Sequence, residues 1–564
     1  MKQLPYTSST MLCASALALL CSAAQAAPPP PDAGQLTREL KPQQQPSAPA
    51  PSSTSALRIQ DGASTTQADS GTVIDVQSIH VLGSSVFSAH ALEALVSDLQ
   101  GAKHSLGEVA AGAQRITEYY RAHGYLLARA YLPAQDIHDG SIDIQVLEGA
   151  LGEIKIDNHS RLTDAHAGSY LAHITPGQTI MGQRIDRALL LLSDTPGVGA
   201  ARAVLQPGTA VGTSDLLIHL DPAPAYLAHV DLDNGGNRYT GEYRASATLA
   251  LNSPLGLGDL FSAHVLNSGP GLSYIRLGYQ LPIGASGLQL GTALANTTYQ
   301  LGEDFAALQA TGRASTGSVY LSYPLVRSTL SNVTSTLSWE RKILTDLTGA
   351  PASESDKQVS ESTLGLSGNH QDTLGAGGVT SADVLLSLGA LTMDDASAAL
   401  DAAPSSAQSQ GVFRKLAYTL NRLQGLGPRD SMMLSVQGQL ADENLASSEK
   451  FALGGATGVR AYPQGEGSGD QGWLASVEWR HSLSEALQGV LFYDGGQVNI
   501  NHNAYLSSSN SRSIAGVGLG LNGSFGHLQF KTALAWRTDG GTPTSEPPSA
   551  DRNPRLWAQM SYSL

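Results

Sequence analysis

The last nine residues, Leu556-Trp557-Ala558-Gln559-Met560-Ser561-Tyr562-Ser563-Leu564, alternate along the chain. Leu556, Ala558, Met560, Tyr562 and Leu564 fall on one side, with Trp557, Gln559, Ser561 and Ser563 on the other. A period of two is that of a β-strand, whose successive side chains leave opposite faces. The scheme recurs upstream. In Glu242–Leu251, Tyr243, Ala245, Ala247, Leu249 and Leu251 oppose Glu242, Arg244, Ser246 and Thr248, and Val333, Ser335, Leu337 and Trp339 oppose Thr334, Thr336, Ser338 and Glu340. Helical periodicity is missing from Tyr226 to Leu564. Two-faced strands also build soluble sandwiches, so length has to arbitrate. About 340 residues, at about 9–11 per spanning strand plus turns and loops, accommodate about 16 antiparallel strands of an all-β transmembrane barrel. A soluble all-β region of that size more often divides into domains.

Composition agrees. The 564 residues include 33 Lys+Arg against 48 Asp+Glu, a formal charge of −15, and only 14% are charged, against roughly 25% in ordinary soluble domains. Beyond the N-terminus no apolar run approaches the about 20 residues of a membrane helix, and the acidic balance argues against nucleic acid as a partner. Polar stretches at Thr348–Ser360, Ala398–Gln410, His502–Ser511 and Asp539–Asn553 read as long extracellular loops.

The N-terminus sets the compartment. Lys2, the apolar stretch Met11–Ala24 and Ala24-Gln25-Ala26 form a secretory signal peptide over residues 1–26. Both cysteines, Cys13 and Cys21, lie inside it, so the mature chain uses neither disulfides nor thiol chemistry. Residues 27–72 are rich in Pro, Gln, Ser and Thr and read as a flexible linker, interrupted by one short helix at Asp32–Leu40. Residues 73–149 then read as β-α-α-β-β. Val76, Ile79 and Val81 mark a strand, and Leu92, Leu95, Val96 and Leu99 a helix. Val109, Ala113, Ile116 and Tyr120 mark a second helix stopping at Gly124, with strands around Leu126–Leu132 and Ile142–Leu147. Residues 150–222 repeat the pattern, giving two small α+β modules before a barrel at residues 223–564.

Metal, nucleophile and phosphate-loop motifs are missing from the sequence, and no cofactor is expected. Gly518-Leu519-Gly520-Leu521-Asn522-Gly523 matches G-x-G-x-x-G but alternates with Ala515, Val517, Leu519 and Leu521, so the run is itself a strand rather than the turn opening a dinucleotide-binding helix. Its glycines mark either a lumen wall that another segment approaches closely or the accommodation of barrel curvature. The most informative stretch is Ser448-Glu449-Lys450-Phe451-Ala452-Leu453-Gly454-Gly455-Ala456-Thr457-Gly458-Val459-Arg460-Ala461-Tyr462-Pro463, continuing through Gly465-Glu466-Gly467-Ser468-Gly469-Asp470-Gln471-Gly472. So many glycines around one Arg and one Tyr describe a backbone folded tightly to present two side chains. Further on, Phe492-Tyr493-Asp494-Gly495-Gly496 places an acid on a strand, and Glu478 lies on the polar face of Trp473–Arg480. An arginine on a loop folded into a lumen can pair with Asp494 or Glu478; on spacing alone, a solvated Arg460 at a loop tip is the competing reading.

Residues 448–472 and 492–496 resemble the inward-folded loop and later strand motif of the two-partner secretion outer-membrane transporters, within the wider barrel-assembly and translocation superfamily. Other matches follow in order: Tyr120-Arg121-Ala122-His123-Gly124-Tyr125, Pro133-Ala134-Gln135 and Gly140 resemble the first POTRA domain, and Ser193-Asp194-Thr195-Pro196-Gly197-Val198 the second. Asp233-Asn234-Gly235-Gly236, Thr240-Gly241 and Asn252–Asp259 resemble the first barrel strands, and Tyr323-Pro324-Leu325-Val326-Arg327-Ser328 a later one. The resemblance implies a 16-stranded barrel in the outer membrane, two periplasmic POTRA domains and an N-terminal plug helix, here Asp32–Leu40 with linker Lys41–Ser70. It implies a gating constellation of Val459, Arg460, Tyr462, Glu478, Phe492, Asp494 and Gly496, and cargo recognition around Tyr120, Gly124, Tyr125, Pro133 and Gln135. Ala461 stands where the family commonly has glycine, and Leu564 where such barrels often end in Phe. In an unbroken strand Phe492 and Asp494 share a face; a bulge would separate them. The implied partners are one large secreted exoprotein, outer-membrane lipid and lipopolysaccharide, periplasmic chaperones and the barrel-assembly machinery. A barrel-assembly factor is the alternative reading, and a passive porin or an enzyme carried in the barrel are weaker ones.

Overall fold

Sixteen strands, each paired antiparallel with its neighbour, close into one barrel. They are β1 (Tyr226–Asp233), β2 (Arg244–Asn252), β3 (Leu260–Asn267), β4 (Leu272–Pro282), β5 (Gln289–Gln300), β6 (Thr311–Arg327), β7 (Ser331–Gly349) and β8 (Ala352–Asp372). The second half comprises β9 (Gly378–Met393), β10 (Gly411–Gly425), β11 (Asp430–Ala441), β12 (Gln471–Ser482), β13 (Leu487–Asn499), β14 (Ser511–Phe525), β15 (Leu528–Asp539) and β16 (Arg555–Ser563). The structure, a computed structural model, describes residues 30–40, 57–59 and 73–564 apart from 138, 180, 211 and 508. The signal peptide read at residues 1–26 and most of the linker at Lys41–Ser70 lie outside the described residues.

Closure leaves no free sheet edge, which a strand in hydrocarbon cannot afford. β1 pairs with β16 from His229↔Ser563 to Asp233↔Gln559, and the Asn234 side chain lengthens this seam by donating to the Leu556 carbonyl and accepting from the Ala558 amide. Alternation places Tyr243, Leu249, Leu294, Leu337, Trp339, Leu388, Leu519, Leu556, Met560 and Tyr562 on the outside, all exposed. In water that apolar belt would be unfavourable at about 25 cal/mol per Å²; against lipid tails the penalty vanishes. Among the described residues no helix is long and apolar enough to cross a membrane.

One expected loop is not a loop. Thr348–Ser360 lies within a long hairpin, β7 and β8 pairing continuously from Ser331↔His370 to Gly349↔Ala352. Outside the bilayer a strand needs no apolar face, so the ladder continues where the alternation stops. The other three polar stretches fall in connections on the same rim, one containing a helix at Asp395–Asp401.

In the first module, strand Ser141–Leu147 pairs parallel with Ser78–Leu82 and antiparallel with Arg129–Tyr131. Helix Leu106–Ala122 packs Val109, Ile116 and Tyr120 onto this sheet. It opens with a reciprocal Ser105/Glu108 capping box and ends where Gly124 takes φ +89°. The Leu92–Leu99 spacing predicts one helix; the chain instead forms a short helix at Ala89–Ala94 and a 3₁₀ turn at Ser97–Leu99, then a strand at Ala102–Ser105 paired with Val73–Val76. Leu92, Val96 and Leu99 all reach the core either way, so spacing alone does not distinguish the two conformations.

In the second module the strands lie in the order Leu57–Ile59, Val198–Pro207, Thr213–Pro222, Ala150–Asn158, under helices Asp164–Ser169 and Gly182–Ser193. The outermost strand comes from the stretch read as flexible linker and pairs parallel with Ala203–Leu205. Three residues are too few to show a period. Gly182 donates to the Gly124 carbonyl at 2.9 Å, joining the modules. Arg327 forks onto Asp194 at 2.6 and 2.8 Å, Arg187 donates to the Pro324 carbonyl, and Arg161 to that of Asn252. The stretches Ser193–Val198, Asn252–Asp259 and Tyr323–Ser328, far apart in sequence, thus meet at one junction between module and barrel. The polar loops lie on the opposite rim.

Candidate functional site

The connection between β11 and β12, residues 442–470, folds back into the lumen. Its tip is a tight turn in which Val459 donates to the Leu453 carbonyl at 2.7 Å and Tyr462 to that of Val459 at 3.0 Å. Gly455 takes φ +122°, and a β-carbon at Gly458 would overlap the Leu453 carbonyl. Ala461 is not among the residues with positive φ, so alanine needs no unusual backbone there. Its methyl is buried against the wall at Gly516, where an added β-carbon would collide with it. The Phe492 ring covers Gly518 in the same way. The glycine row of β14 therefore lines a wall that other groups approach closely.

Arg460 projects from this turn onto β12 and β13. Its Nε and Nη2 donate to the two oxygens of Asp494 at 2.8 and 2.7 Å, and Nη1 to Glu478 at 2.7 Å. Ser476 supports Asp494 at 2.7 Å, and Arg480 takes the other Glu478 oxygen. The guanidinium carbon lies 3.4 Å from the Phe492 ring centroid, a stacked cation–π contact. β13 keeps its register through Phe492 and Asp494, so no bulge separates them and both face the lumen. Asp494 is fully buried; a carboxylate there requires a charged, hydrogen-bonded partner. Gly496, on the same strand, leaves room for Leu453 of the loop. Tyr462 is buried, its hydroxyl 2.7 and 2.8 Å from the carbonyls of Asp539 and Gly541, which share its one proton.

Three further anchors were not identified from the sequence. Trp557, placed on the polar face of β16, donates its indole N–H to the Arg460 carbonyl at 2.7 Å. Glu466 is fully buried and accepts from Arg512 and from the amides of Thr544 and Ser545. Asp470, also buried, takes Lys450 at 2.7 Å and the amides of Leu445 and His502. A Trp on an otherwise polar strand face was the available signal for the first; the acids among loop glycines carried none.

Helix α1 (Ala33–Glu39), the predicted plug, lies inside the barrel against β6, β7 and the start of the inward loop. Asp32 caps it by accepting from Gln35, and the Ala33 amide donates to Asp346 at 2.8 Å. Arg38 donates to the carbonyls of Ser447 and Lys450 and to Ser468 Oγ, and Ser447 Oγ donates to Asp32. Beneath this contact, Glu449 bridges Lys342 and Lys415, which Glu361 also approaches at 3.4 and 3.1 Å. Loop and plug leave a cavity of about 980 Å³, whose lining includes Asp233, Arg244, Asp383, Asn421, Arg480 and Lys531.

The five cargo-recognition candidates occupy different settings. Tyr120 is fully buried, its ring 4.9 Å from Phe87 and its hydroxyl donating to Glu148 at 2.7 Å, so it holds the module's core and offers no surface. Tyr125, half-buried, packs on the same Phe87, and Gly124 forms the link to the second module. Gln135 uses its amide on both the Asp143 N–H and C=O, satisfying the edge of strand Ser141–Leu147 beyond the short strand Arg129–Tyr131. Pro133 precedes it in the same connection.

Comparison with known proteins bears on this arrangement. Residues 212–523 match the haemolysin secretion/activation protein ShlB/FhaC/HecB model, and residues 74–149 match the POTRA domain, ShlB-type. The chain is 30% identical to the heme/hemopexin transporter protein HuxB of Haemophilus influenzae over 87% of its length and 88% of that protein's. It is 24% identical to the outer membrane transporter CdiB of Dickeya dadantii, over 75% of each. The solved structure of CdiB from Escherichia coli has a TM-score of 0.70 to it, at 21% identity, covering 89% of this chain and 93% of that one, and shares its fold. With a family match over more than half its length and a curated relative aligned along most of it, the chain belongs to the ShlB/FhaC/HecB family of outer-membrane secretion transporters.

Proposed function

We propose that this transporter exports one large partner protein, unfolded, from periplasm to cell surface, and that it does so without a nucleotide. The observation that carries the reading is the doubly closed lumen. Helix α1 and the loop pinned through Arg460 both occupy the pore, as a channel that opens only on engagement requires. We take residues 73–149 and 150–222 as the two recognition modules, offering sheet edges to which an extended polypeptide adds a strand through backbone hydrogen bonds. Strand Leu57–Ile59 already occupies one such edge, so cargo binding there has to displace it. Arg460, Glu478 and Asp494 act as the lock of the loop, with Val459, Tyr462, Phe492 and Gly496 shaping its seat. Folding of the cargo outside supplies the pull.

The test is proteomics of surface, medium and periplasm after deletion of the gene, against a complemented control. Loss of one very large protein from the exterior, trapped or degraded in the periplasm, supports the reading and names the cargo. A broad fall in many outer-membrane barrels would instead indicate an assembly factor. Lowered small-solute permeability alone would indicate a porin.

A further inference from the structure

We propose that the second module carries a binding site for a divalent transition-metal ion of the zinc class, with Asp157, His159 and His219 as ligands and Asp221 as the carboxylate that orients His219. The placement follows from sheet geometry. Asp157 and His219 are direct cross-strand partners on Ala150–Asn158 and Thr213–Pro222. His159 lies two residues beyond Asp157, and Asp221 two beyond His219, so a period of two brings all four side chains to one face.

The distances suit a metal. His219 Nδ1 is 2.7 Å from one Asp157 oxygen and His159 Nε2 is 3.0 Å from the other. One ligand atom from each of the three residues lies within 4.8 Å of the others. Ligands at about 2.0–2.2 Å from a tetrahedral ion stand about 3.3–3.6 Å apart, so small rotations of the exposed Asp157 and His159 side chains about the half-buried His219 assemble the set. Two imidazoles and a carboxylate, with a fourth position left to water, form a borderline N/O site suited to zinc and its neighbours rather than to magnesium or calcium.

The orienting group is the second, independent observation. His219 Nε2 faces Asp221 at 3.1 Å, and Arg202 holds the other Asp221 oxygen at 2.8 Å. A ligating histidine ordinarily donates its remaining N–H to such a carboxylate, which fixes the tautomer that leaves Nδ1 free for the ion. The location gives the ion a purpose. His159 lies two residues before Arg161, which holds the barrel turn at Asn252, and Asp221 is the penultimate residue of the strand that leads into β1. A bound ion would staple together the two segments that join module and barrel.

The test titrates the full-length protein in detergent, purified without an oligohistidine tag, with Zn²⁺ alone in competition with a chelating dye. The expected result is one site that is lost, or weakened at least 100-fold, in the variant His159→Gln/His219→Gln. Asp221→Asn, which keeps all three ligands, weakens binding by about 10–100-fold. Heat-modifiable migration on gels verifies that each variant retains its barrel. Identical titrations of wild type and the double variant would overturn the site, and wild-type affinity in Asp221→Asn would overturn the assignment of Asp221.

Discussion

Replacing Arg460 with alanine asks how firmly one side chain holds the loop in the pore. The guanidinium makes two hydrogen bonds to Asp494 and one to Glu478, and stacks on Phe492. Truncation leaves Asp494 fully buried, with Ser476 and the residue-460 amide as its remaining donors, whereas Glu478 keeps Arg480. Removing one partner of a buried ion pair costs about 3–5 kcal/mol. The surviving donors put this case near the lower end, about 3 kcal/mol, which is about 150-fold in the population of undocked loop. The anchors at Glu466 and Asp470, outside the tip, stay in place and limit the motion to it. A single cysteine at Val459, fully buried at the loop tip, reports it, because both native cysteines lie within residues 1–26. Maleimide labelling should run about 100-fold faster in Arg460→Ala, while the barrel inserts normally and export fails. Arg460→Ala/Asp494→Ala, which strands no charge, should recover part of the protection. Equal labelling rates in wild type and Arg460→Ala would refute this reasoning and shift the restraint to Glu466 and Asp470. Normal export from Arg460→Ala would refute its role in transport.

Three other outcomes are expected. Gly516→Ala places a methyl where Ala461 already sits and should raise loop labelling, with Ala461→Gly in the same chain returning it toward wild type. Asp32→Ala/Arg38→Ala removes the polar hold on α1 and should increase the open fraction in planar-bilayer recordings, with the barrel unchanged. Burial alone would raise the Glu148 carboxyl, but hydrogen bonds from Ser85, the Val86 amide and the Tyr120 hydroxyl outweigh it and hold the group below its ordinary value of 4.5. A carboxyl lowered in the folded state contributes stability above that value and loses it as pH falls through the folded pKa. Glu148→Gln should therefore loosen the first module near pH 7, by an amount that shrinks as pH falls below 4.5, as read by hydrogen exchange of strands Ser78–Leu82 and Ser141–Leu147.

The barrel was legible because lipid enforces an apolar outer face, and that constraint prints a period of two on every spanning strand. Where the constraint ends the print ends, which is why Ser353–Ser360 reads as loop although its backbone remains in the β7–β8 ladder. The loop and its arginine stood out through their glycines, and Phe492 and Asp494 through their resemblance to a family motif. Glu466 and Asp470 did not, since an acid among glycines has the same appearance whether it is buried or solvated. Strand Leu57–Ile59 and its partner Ala203–Leu205 are separated by more sequence than any local pattern spans. Tyr120 belongs both to a recognisable motif and to the apolar face of its helix, and its side chain is committed to the core.

Helix α1 and the inward loop are not independent stoppers. Both depend on Ser447, Lys450 and Ser468, which Arg38 and Asp32 bind directly. Two equilibria that share contacts are linked, and linkage is reciprocal. Whatever factor the helix's departure adds to loop undocking, undocking must add to the helix's departure. A pull on the linker from the periplasm and an opening of the Arg460 lock from within the lumen are then two ways of entering one thermodynamic cycle.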